Sequence, residues 1–440
     1  MKLNSKRTLL VGLAFMAICA FWQIYDSIVP LILKETFDLN DSISGVIMSL
    51  DNVLALFMLP LFGALSDRKF TKIGRRMPFI LIGTVLACIF TVLLPAAEKG
   101  HRLTLFMIAL GGCLLSMAVY RSPAVALMPD VTPKPLRSKA NALINLMGAV
   151  GGIIMLGAIA VLAPKEGGSY FPLYILLIAF MLITTGILYK TVNEPKLYAE
   201  AEAANEELIR SGAYVEEVAE VQGKMTKEAK RSFFFMLASI FFWFMGYNAI
   251  TTSFSKYANV YWGLEGGAFA YTLIIAQAAA IVSYLPIGMI ATRFGRKKTI
   301  LVGVVMLAVA FGACAFFKTF GGMIFFFFVL AGFGWAAINV NSLPMVVEMA
   351  KGEDSGKYTG YYYTASQAAQ IITPILSGFI LEYGYLLLGG TDKNAGYVFL
   401  FPYGALFVLL SFVTMLFVRH GDSKAEKKTG IEIFAGGDND

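Results

Sequence analysis

The sequence predicts an all-α integral membrane protein, with twelve transmembrane helices arranged as two pseudo-symmetric six-helix bundles. Three observations carry that prediction. The 440 residues are 58% hydrophobic and only 15% charged, with a mean hydropathy of +0.69, which leaves too little polar surface to clothe a soluble globule. Apolar runs of bilayer length recur along the whole chain. A charged loop pattern in the first half returns in the second, about 220 residues later, as an internal repeat would.

Taken in order, the runs cover about 9–33, 44–65, 78–95, 103–128, 141–162, 170–189, 233–258, 268–290, 298–317, 322–347, 358–381 and 396–418, each near the roughly 17–25 residues that cross a bilayer. The first follows Lys2, Lys6 and Arg7 and exceeds the roughly 7–15 residues of a signal-peptide core, so an uncleaved first helix is expected. The second and third flank GALSDRKFTKIGRRMPFILIG, residues Gly63 to Gly83, and this charged stretch reads as an aqueous loop between two membrane helices. Between the sixth and seventh runs lies the one long charged segment, rich in Ala and Glu. It is expected to form a solvated or membrane-surface helix. The predicted organisation is therefore a bundle over 1–189, a cytoplasmic linker over 190–231, a second bundle over 232–420 and a disordered cytoplasmic tail over 421–440. An even number of spans puts both termini on one side. Most of the 36 Lys and Arg fall in the loops of that side, so both termini are expected in the cytoplasm and the chain in the cytoplasmic membrane.

The two halves share more than hydropathy. GMIATRFGRK, Gly288 to Lys297, repeats the first loop pattern, with Thr292 where the first has Asp67. Pro129, Asp130, Arg137 and Ala140 after the fourth run are echoed by Glu348, Lys357 and Gly360 after the tenth.

The pattern G-x-x-x-D-R followed by G-R-R resembles the loop signature of the major facilitator superfamily. The longer match over Pro60 to Gly83, with A-L-x-x-D from Ala126 to Asp130, resembles the branch holding the glycoside-pentoside-hexuronide:cation symporters and sucrose transporters. The five residues between Arg68 and Gly74, where most superfamily members have one, are typical of that branch. The resemblance implies the superfamily fold and secondary active transport by alternating access. It also implies a gate built from Asp67, Arg68, Arg75, Arg76, Asp130 and Arg137 in one half and Arg293, Arg296 and Glu348 in the other. Asp67, with Arg68 and Asp130, is expected to hold the cytoplasmic side closed against the start of the eleventh run, near Tyr358 to Gly360. In the melibiose-type symporters of the branch, the resemblance implies a cation held by paired carboxylates on the second helix, with further acids on the first and fourth. Those positions fall on Ala55 and Leu59, on Trp22 and on Arg121, so the sodium site is not carried over. Hard cations need several oxygen ligands. A proton is the expected coupling ion, with no metal and no cofactor.

Asp26, Asp51 and Arg121 are the ionisable residues read as lying well inside the runs. Charges at that depth are costly and face the bundle interior with partners. Two acids and one base leave one acid unmatched, as a coupling site requires; the alternative is a static pair between Arg121 and one aspartate. Rings stack on the apolar faces of sugars, and amides match hydroxyls that both donate and accept. The expected substrate lining is accordingly Trp22, Gln23, Tyr25, Asn52, Arg121, Asn145, Asn248, Gln277, Trp335, Asn339 and Gln367, around a small molecule of the sugar class. An exporter of amphipathic compounds or organic anions, with Arg121 as counter-ion, is the second transport reading, and a membrane sugar sensor is the alternative of another class. An enzyme is not expected: His101 and His420 lie outside the runs, and Cys19, Cys88, Cys113 and Cys314 form no C-x-x-C pair. The net charge of +7 follows the membrane orientation, so no nucleic-acid partner is implied. The chain is expected to act as a monomer.

Overall fold

A computed structural model describes residues 3–68, 70–165, 168–211, 226–349 and 355–420. The middle of the expected linker, the expected tail and the side chain of Thr292 lie outside the described residues. Lipid offers no hydrogen bonds to a backbone, so a spanning chain must satisfy its own amides within helices. Among the described residues thirteen α-helices follow: α1 (Ser5–Glu35), α2 (Asp41–Asp67), α3 (Met77–Lys99), α4 (Leu103–Asp130), α5 (Arg137–Leu162), α6 (Phe171–Thr191), α7 (Glu194–Arg210), α8 (Lys227–Val260), α9 (Ala270–Phe294), α10 (Arg296–Cys314), α11 (Met323–Glu348), α12 (Ser355–Tyr383) and α13 (Leu400–Leu416). Among the described residues, eleven helical spans are long and apolar enough to cross a membrane, and α9 contributes the shorter apolar stretch Ala270–Tyr284. With α7 set aside, these match the twelve runs in order. Several helices outlast the runs at their polar ends. α8, for example, begins six residues before the apolar run, where the Thr226 side chain accepts a hydrogen bond from the Ala229 amide.

The chain packs as two compact units. One holds the described parts of Met1–Tyr25 and Val53–Glu217, the other those of Asp26–Asn52 and Val218–Asp438. Large apolar side chains such as Val161, Val282 and Phe316 are exposed, as lipid-facing positions should be. Without a hydrophobic drive between helices in lipid, association rests on close backbone approach at small residues. In the first unit a Cβ on Gly83 would lie 2.8 Å from the Tyr120 side chain, and one on Gly151 would lie 2.4 Å from the Met16 carbonyl. In the second, a Cβ on Gly332 of α11 would lie 2.2 Å from the Ala276 carbonyl of α9, and Gly303 and Gly334 meet reciprocally at 2.7 Å. Hydroxyls add polar contacts between helices, Thr84 with Thr185 at 3.2 Å and Ser239 with Thr414 at 2.8 Å.

These seats are testable. Gly332→Val is expected to force α9 and α11 apart at a cost of about 1–3 kcal/mol, read as a lower thermal midpoint in detergent. Gly312→Ala, where an added Cβ meets nothing within 4 Å, is expected to leave the midpoint unchanged or raise it, because alanine is the better helix former.

Candidate functional site

The loop between α2 and α3 is organised around two arginines and one aspartate. Gly74 has φ of 110° and closes a tight turn with Thr71 through amide-to-carbonyl bonds of 3.0 and 3.1 Å. That turn delivers Arg75 and Arg76 to Asp130 at the end of α4. Arg75 Nη2 lies 2.8 Å from Asp130 Oδ1, and Arg76 Nε lies 2.7 Å from Oδ2. Arg76, buried at 5% exposure, also reaches Asp67 and Ser66, and Arg75 lies 3.9 Å from Asp67. Partial burial works against the Arg75 cation, but its hydrogen bond to Asp130 and that carboxylate's charge prevail and raise its pKa. Of the other expected gate residues in this half, Arg68 is exposed, and Arg137 Nε donates to the Thr132 carbonyl at 3.3 Å.

Sequence reading missed the residue that holds this loop in place. Glu194, the first residue of α7, is 1% exposed. Its Oε1 accepts from the Arg75 and Arg76 amides at 2.7 and 2.9 Å, and its Oε2 from the Met77 amide at 2.8 Å. Arg76 at the N-cap of α3 supplies no capping side chain, so a carboxylate from a distant helix satisfies the free amides and faces the positive end of the helix dipole. A Cβ on Gly74 would lie 2.2 Å from that carboxylate, so glycine is required twice over, by φ and by space. The rest of α7 is fastened too. Leu197, Ala201 and Asn205 are buried on the face of Glu194, Tyr198 lies under the Arg75 guanidinium at 4.8 Å, Asn205 Oδ1 accepts from the Lys134 amide, and Glu200 pairs with Arg7 at 2.7 Å. The expected solvated helix is thus one that docks by one face. The signal in the sequence was N-E-P, a capping residue followed by an acid and a proline at a helix start.

The second unit repeats the pairing. Gly295 has φ of 96°, and Arg296, 6% exposed, lies 2.7 Å from Glu348 Oε1, matching Arg75 with Asp130 through both the loop pattern and its echo. Arg293 lies 5.4 Å from the ring of Phe294.

Inside the membrane-spanning parts, the first unit holds Trp22, Gln23, Tyr25, Arg121 and Asn145. The Arg121 guanidinium lies 5.9 Å from the Trp22 ring centre, an arrangement in which ring and cation attract. Trp22 meets Tyr25 edge-on at 5.3 Å, and its buried Nε1 has no hydrogen-bond partner within the protein. Asn145 is buried. The second unit brings together Asp26, Asp51, Asn52 and Tyr247. Asn52 Nδ2 donates to Asp51 Oδ1 at 2.8 Å, and Asp26 is within Coulombic reach of both Asp51 and Tyr247. Tyr247 stacks flat on Trp335 at 3.7 Å and 6°. Buried Asn248 Nδ2, Gln367 Oε1 and Gln370 Nε2 have no hydrogen-bond partner within the protein. Asn339 is 3% exposed, and Gln277 is half-buried. Among the described residues, no group of three or more His, Cys, Asp or Glu is placed to hold a metal ion.

A helical membrane protein with a repeated arginine–acid loop and polar groups inside its spans is built as a transporter. Family comparison agrees: the Major Facilitator Superfamily model matches residues 11–283 and 261–434, and the chain belongs to that superfamily. Sucrose transport protein SUC3 of Arabidopsis thaliana is 27% identical over 139 residues, which cover 27% of this chain and 23% of the relative. The matched stretch is thus under a quarter of that relative's length. Among solved structures, a mutant of the nucleoside transporter NupG superposes with a TM-score of 0.68 at 16% identity, over 94% of this chain and 100% of that one. A bacterial homologue of the human drug peptide transporters PepT1 and PepT2 superposes at 0.66 and 14% identity, over 94% and 98%. The xylose transporter XylE from E. coli, in a partially occluded inward-open conformation, superposes at 0.62 and 15% identity, over 94% and 99%. The chain is a multi-pass membrane transporter with the superfamily fold.

Glu194 is open to a direct test. Glu194→Ala leaves three amides unsatisfied and is expected to cost about 1–3 kcal/mol locally, with faster hydrogen exchange at the amides of Arg75, Arg76 and Met77. Glu194→Gln keeps both the volume and an acceptor and is expected to exchange at a rate between alanine and wild type.

Proposed function

We propose that the chain is a secondary active transporter that carries a sugar or glycoside across the cytoplasmic membrane by alternating access, coupled to protons. The observations that carry this reading are two features of the helices of the second unit: the stacked Tyr247 and Trp335, and the buried amide atoms of Asn248, Gln367 and Gln370 that no protein group satisfies. An unsatisfied buried amide costs about 1–3 kcal/mol, and a hydroxyl-rich ligand returns that cost by both donating and accepting. The similarity to a plant sucrose transport protein supports the same substrate class. The nucleoside, peptide and xylose transporters share the fold and do not decide between substrates. In this reading 1–189 and 232–420 are the bodies that rock, 190–231 joins them, both termini are cytoplasmic and the monomer is the working unit. The cluster of Asp67, Arg75, Arg76 and Asp130 gates the cytoplasmic side.

Coupling requires a group whose affinity for the proton differs between the two states. Asp26 and Asp51, close to each other with Asn52 and Tyr247 at hand, are the carriers we assign, and Arg121 modulates them. One observation favours a second reading. A guanidinium held over the Trp22 ring inside an apolar helix is also a counter-ion for an organic anion.

The test is uptake by purified protein in liposomes against panels of sugars, peptides and organic anions, with and without an inward proton gradient. A sugar is expected to accumulate only with the gradient. Replacing the true carrier, by Asp26→Asn or Asp51→Asn, should abolish accumulation and leave equilibrium exchange, whereas Arg121→Gln should impair both. If both aspartate variants still concentrate sugar in response to the gradient, neither residue is the carrier. Trp335→Ala should raise the half-saturating sugar concentration about tenfold, equivalent to about 1.4 kcal/mol of binding.

A further inference from the structure

Three helix ends of the second unit converge where the chain leaves α13. The Ser232 hydroxyl at the start of α8 accepts from the amides of Arg419 and His420 at 2.8 and 3.0 Å, and Lys297 at the start of α10 donates through Nζ to the Leu416 carbonyl of α13 at 3.2 Å. These contacts gather Lys230, Arg231, Lys297, Lys298 and Arg419, all exposed except the half-buried Lys297. The Arg231 guanidinium lies 5.8 Å from the Phe235 ring centre, and Phe235 in turn stacks on Phe417 at 5.0 Å. Beside the cations the helices turn apolar side chains outward: Val413, Leu416 and Phe417 are exposed, and Phe234 is 67% exposed.

The first unit treats its equivalent ends differently. In order of spans, α1, α3 and α6 correspond to α8, α10 and α13, and there α7 brings acids to the surface: Glu200 pairs with Arg7 at the start of α1, and Glu194 takes the amides at the start of α3. Among the described residues, the ends of α8, α10 and α13 set Lys227 and the five cations above against one acid, Glu228, exposed on the first turn of α8. Glu348 of α11 is engaged by the buried Arg296. Cations at a span's end are an ordinary product of membrane orientation, and water alone can solvate them. Water does not suit the rings and aliphatic groups beside them. A phospholipid with a net negative headgroup is complementary to both, because a guanidinium presents a planar fork that matches a phosphate and the apolar faces accept acyl chains. The Phe235 ring beneath Arg231 orients that fork before any ligand arrives. Basic pockets between spans recognise acidic head groups in this way.

We infer that the start of α8, the start of α10 and the end of α13 form a binding site for an anionic phospholipid, with its phosphate held by Arg231, Lys297 and Arg419 and its acyl chains lying along Phe234 and Val413. The bound lipid supplies here the negative charge that α7 supplies in the first unit. The site lies wholly within the second unit and rests on neither the proposed substrate nor the proposed coupling. The residues after His420 include Asp422 and Glu426, a competing source of negative charge that the test separates from lipid.

The test titrates the purified full chain, in a neutral detergent, with dioleoyl phosphatidylglycerol and separately with dioleoyl phosphatidylcholine, and counts bound lipid by native mass spectrometry. Phosphatidylglycerol is expected to bind the more tightly and to slow hydrogen exchange at the amides of residues 416–420, which phosphatidylcholine leaves unchanged. Arg231→Gln with Arg419→Gln should weaken phosphatidylglycerol binding about thirtyfold, roughly fivefold for each cation removed. Lys298→Gln alone gives an independent reading at an exposed position and should weaken it about fivefold. Lys72→Gln with Lys190→Gln takes two exposed cations from the first unit and should leave binding as in the wild type. Millimolar inorganic phosphate should not displace the lipid, and a chain ending at His420 should bind it at least as tightly as the full chain. Equal affinity for the two lipids, or an equal loss in the two double variants, would mean that no specific site exists and would overturn the inference. Displacement by inorganic phosphate would make this a site for a soluble anion, and lipid binding that begins only when the tail is removed would make the tail its occupant; either result overturns the inference as well. Sugar uptake is read separately, and its absence with the lipid pattern intact overturns the substrate reading alone.

Discussion

A charge that leaves water inside a membrane protein must be answered by an opposite charge or by hydrogen bonds, and the placement of the paired charges here follows from that constraint. Asp130 is answered by Arg75 and Arg76, Glu348 by Arg296, Asp41 by Lys256, and Glu194 by three backbone amides at the start of α3. All four groups sit at helix ends, where the apolar spans give way to loops. Pairing there joins one helix to another without placing an ion in the middle of the bilayer, where its insertion is most costly. The deep charges, Asp26, Asp51 and Arg121, are few. They lie beside groups that polarise or hydrogen-bond: Asn52 for Asp51, Tyr247 within reach of Asp26, and the Trp22 ring for Arg121.

The packing between helices obeys a complementary rule. Glycine and small hydroxyl residues let helices approach closely, because lipid gives apolar side chains no reason to prefer each other. Reciprocal contact of Gly303 and Gly334, and the seat of Gly332 on α9, fix neighbours within a unit. Gly45 and Gly378 do the same beside the Asp41–Lys256 pair. A seam made of backbone contact and one ion pair differs from the aromatic core of the second unit, where Phe254, Tyr257, Trp262 and Phe401 interlock edge to face.

Much of this was legible in the sequence. Apolar run length maps directly onto helices because the bilayer imposes one length on all of them, and the repeated loop marked Arg75, Asp130, Arg296 and Glu348, which the structure pairs as Arg75 with Asp130 and Arg296 with Glu348. What was not legible depends on folding in three dimensions. Glu194 caps a helix more than a hundred residues earlier in the chain, and no periodicity reports such a partner. The linker composition signalled helix α7 but not its docked face. Lys256 stands near the end of the seventh apolar run, where a lysine normally reaches for water; only the burial of Asp41 and Tyr397 around it shows otherwise. Unpartnered amides at Asn248, Gln367 and Gln370 are likewise a property of packing, whereas their polar character in apolar helices was readable from the start.

The central claim is that sugar movement carries a proton across the membrane, and charge movement is its most direct reading. Purified protein in liposomes adsorbed on a solid-supported membrane, given a sugar jump at acidic pH in the absence of sodium, should give a transient current carrying positive charge in the direction of sugar entry. The current should shrink as pH rises and vanish for compounds that are not transported. A sugar that is taken up with no current at any pH, or with current only when sodium is present, would contradict proton coupling; current elicited by peptides or organic anions and by no sugar would contradict the substrate class.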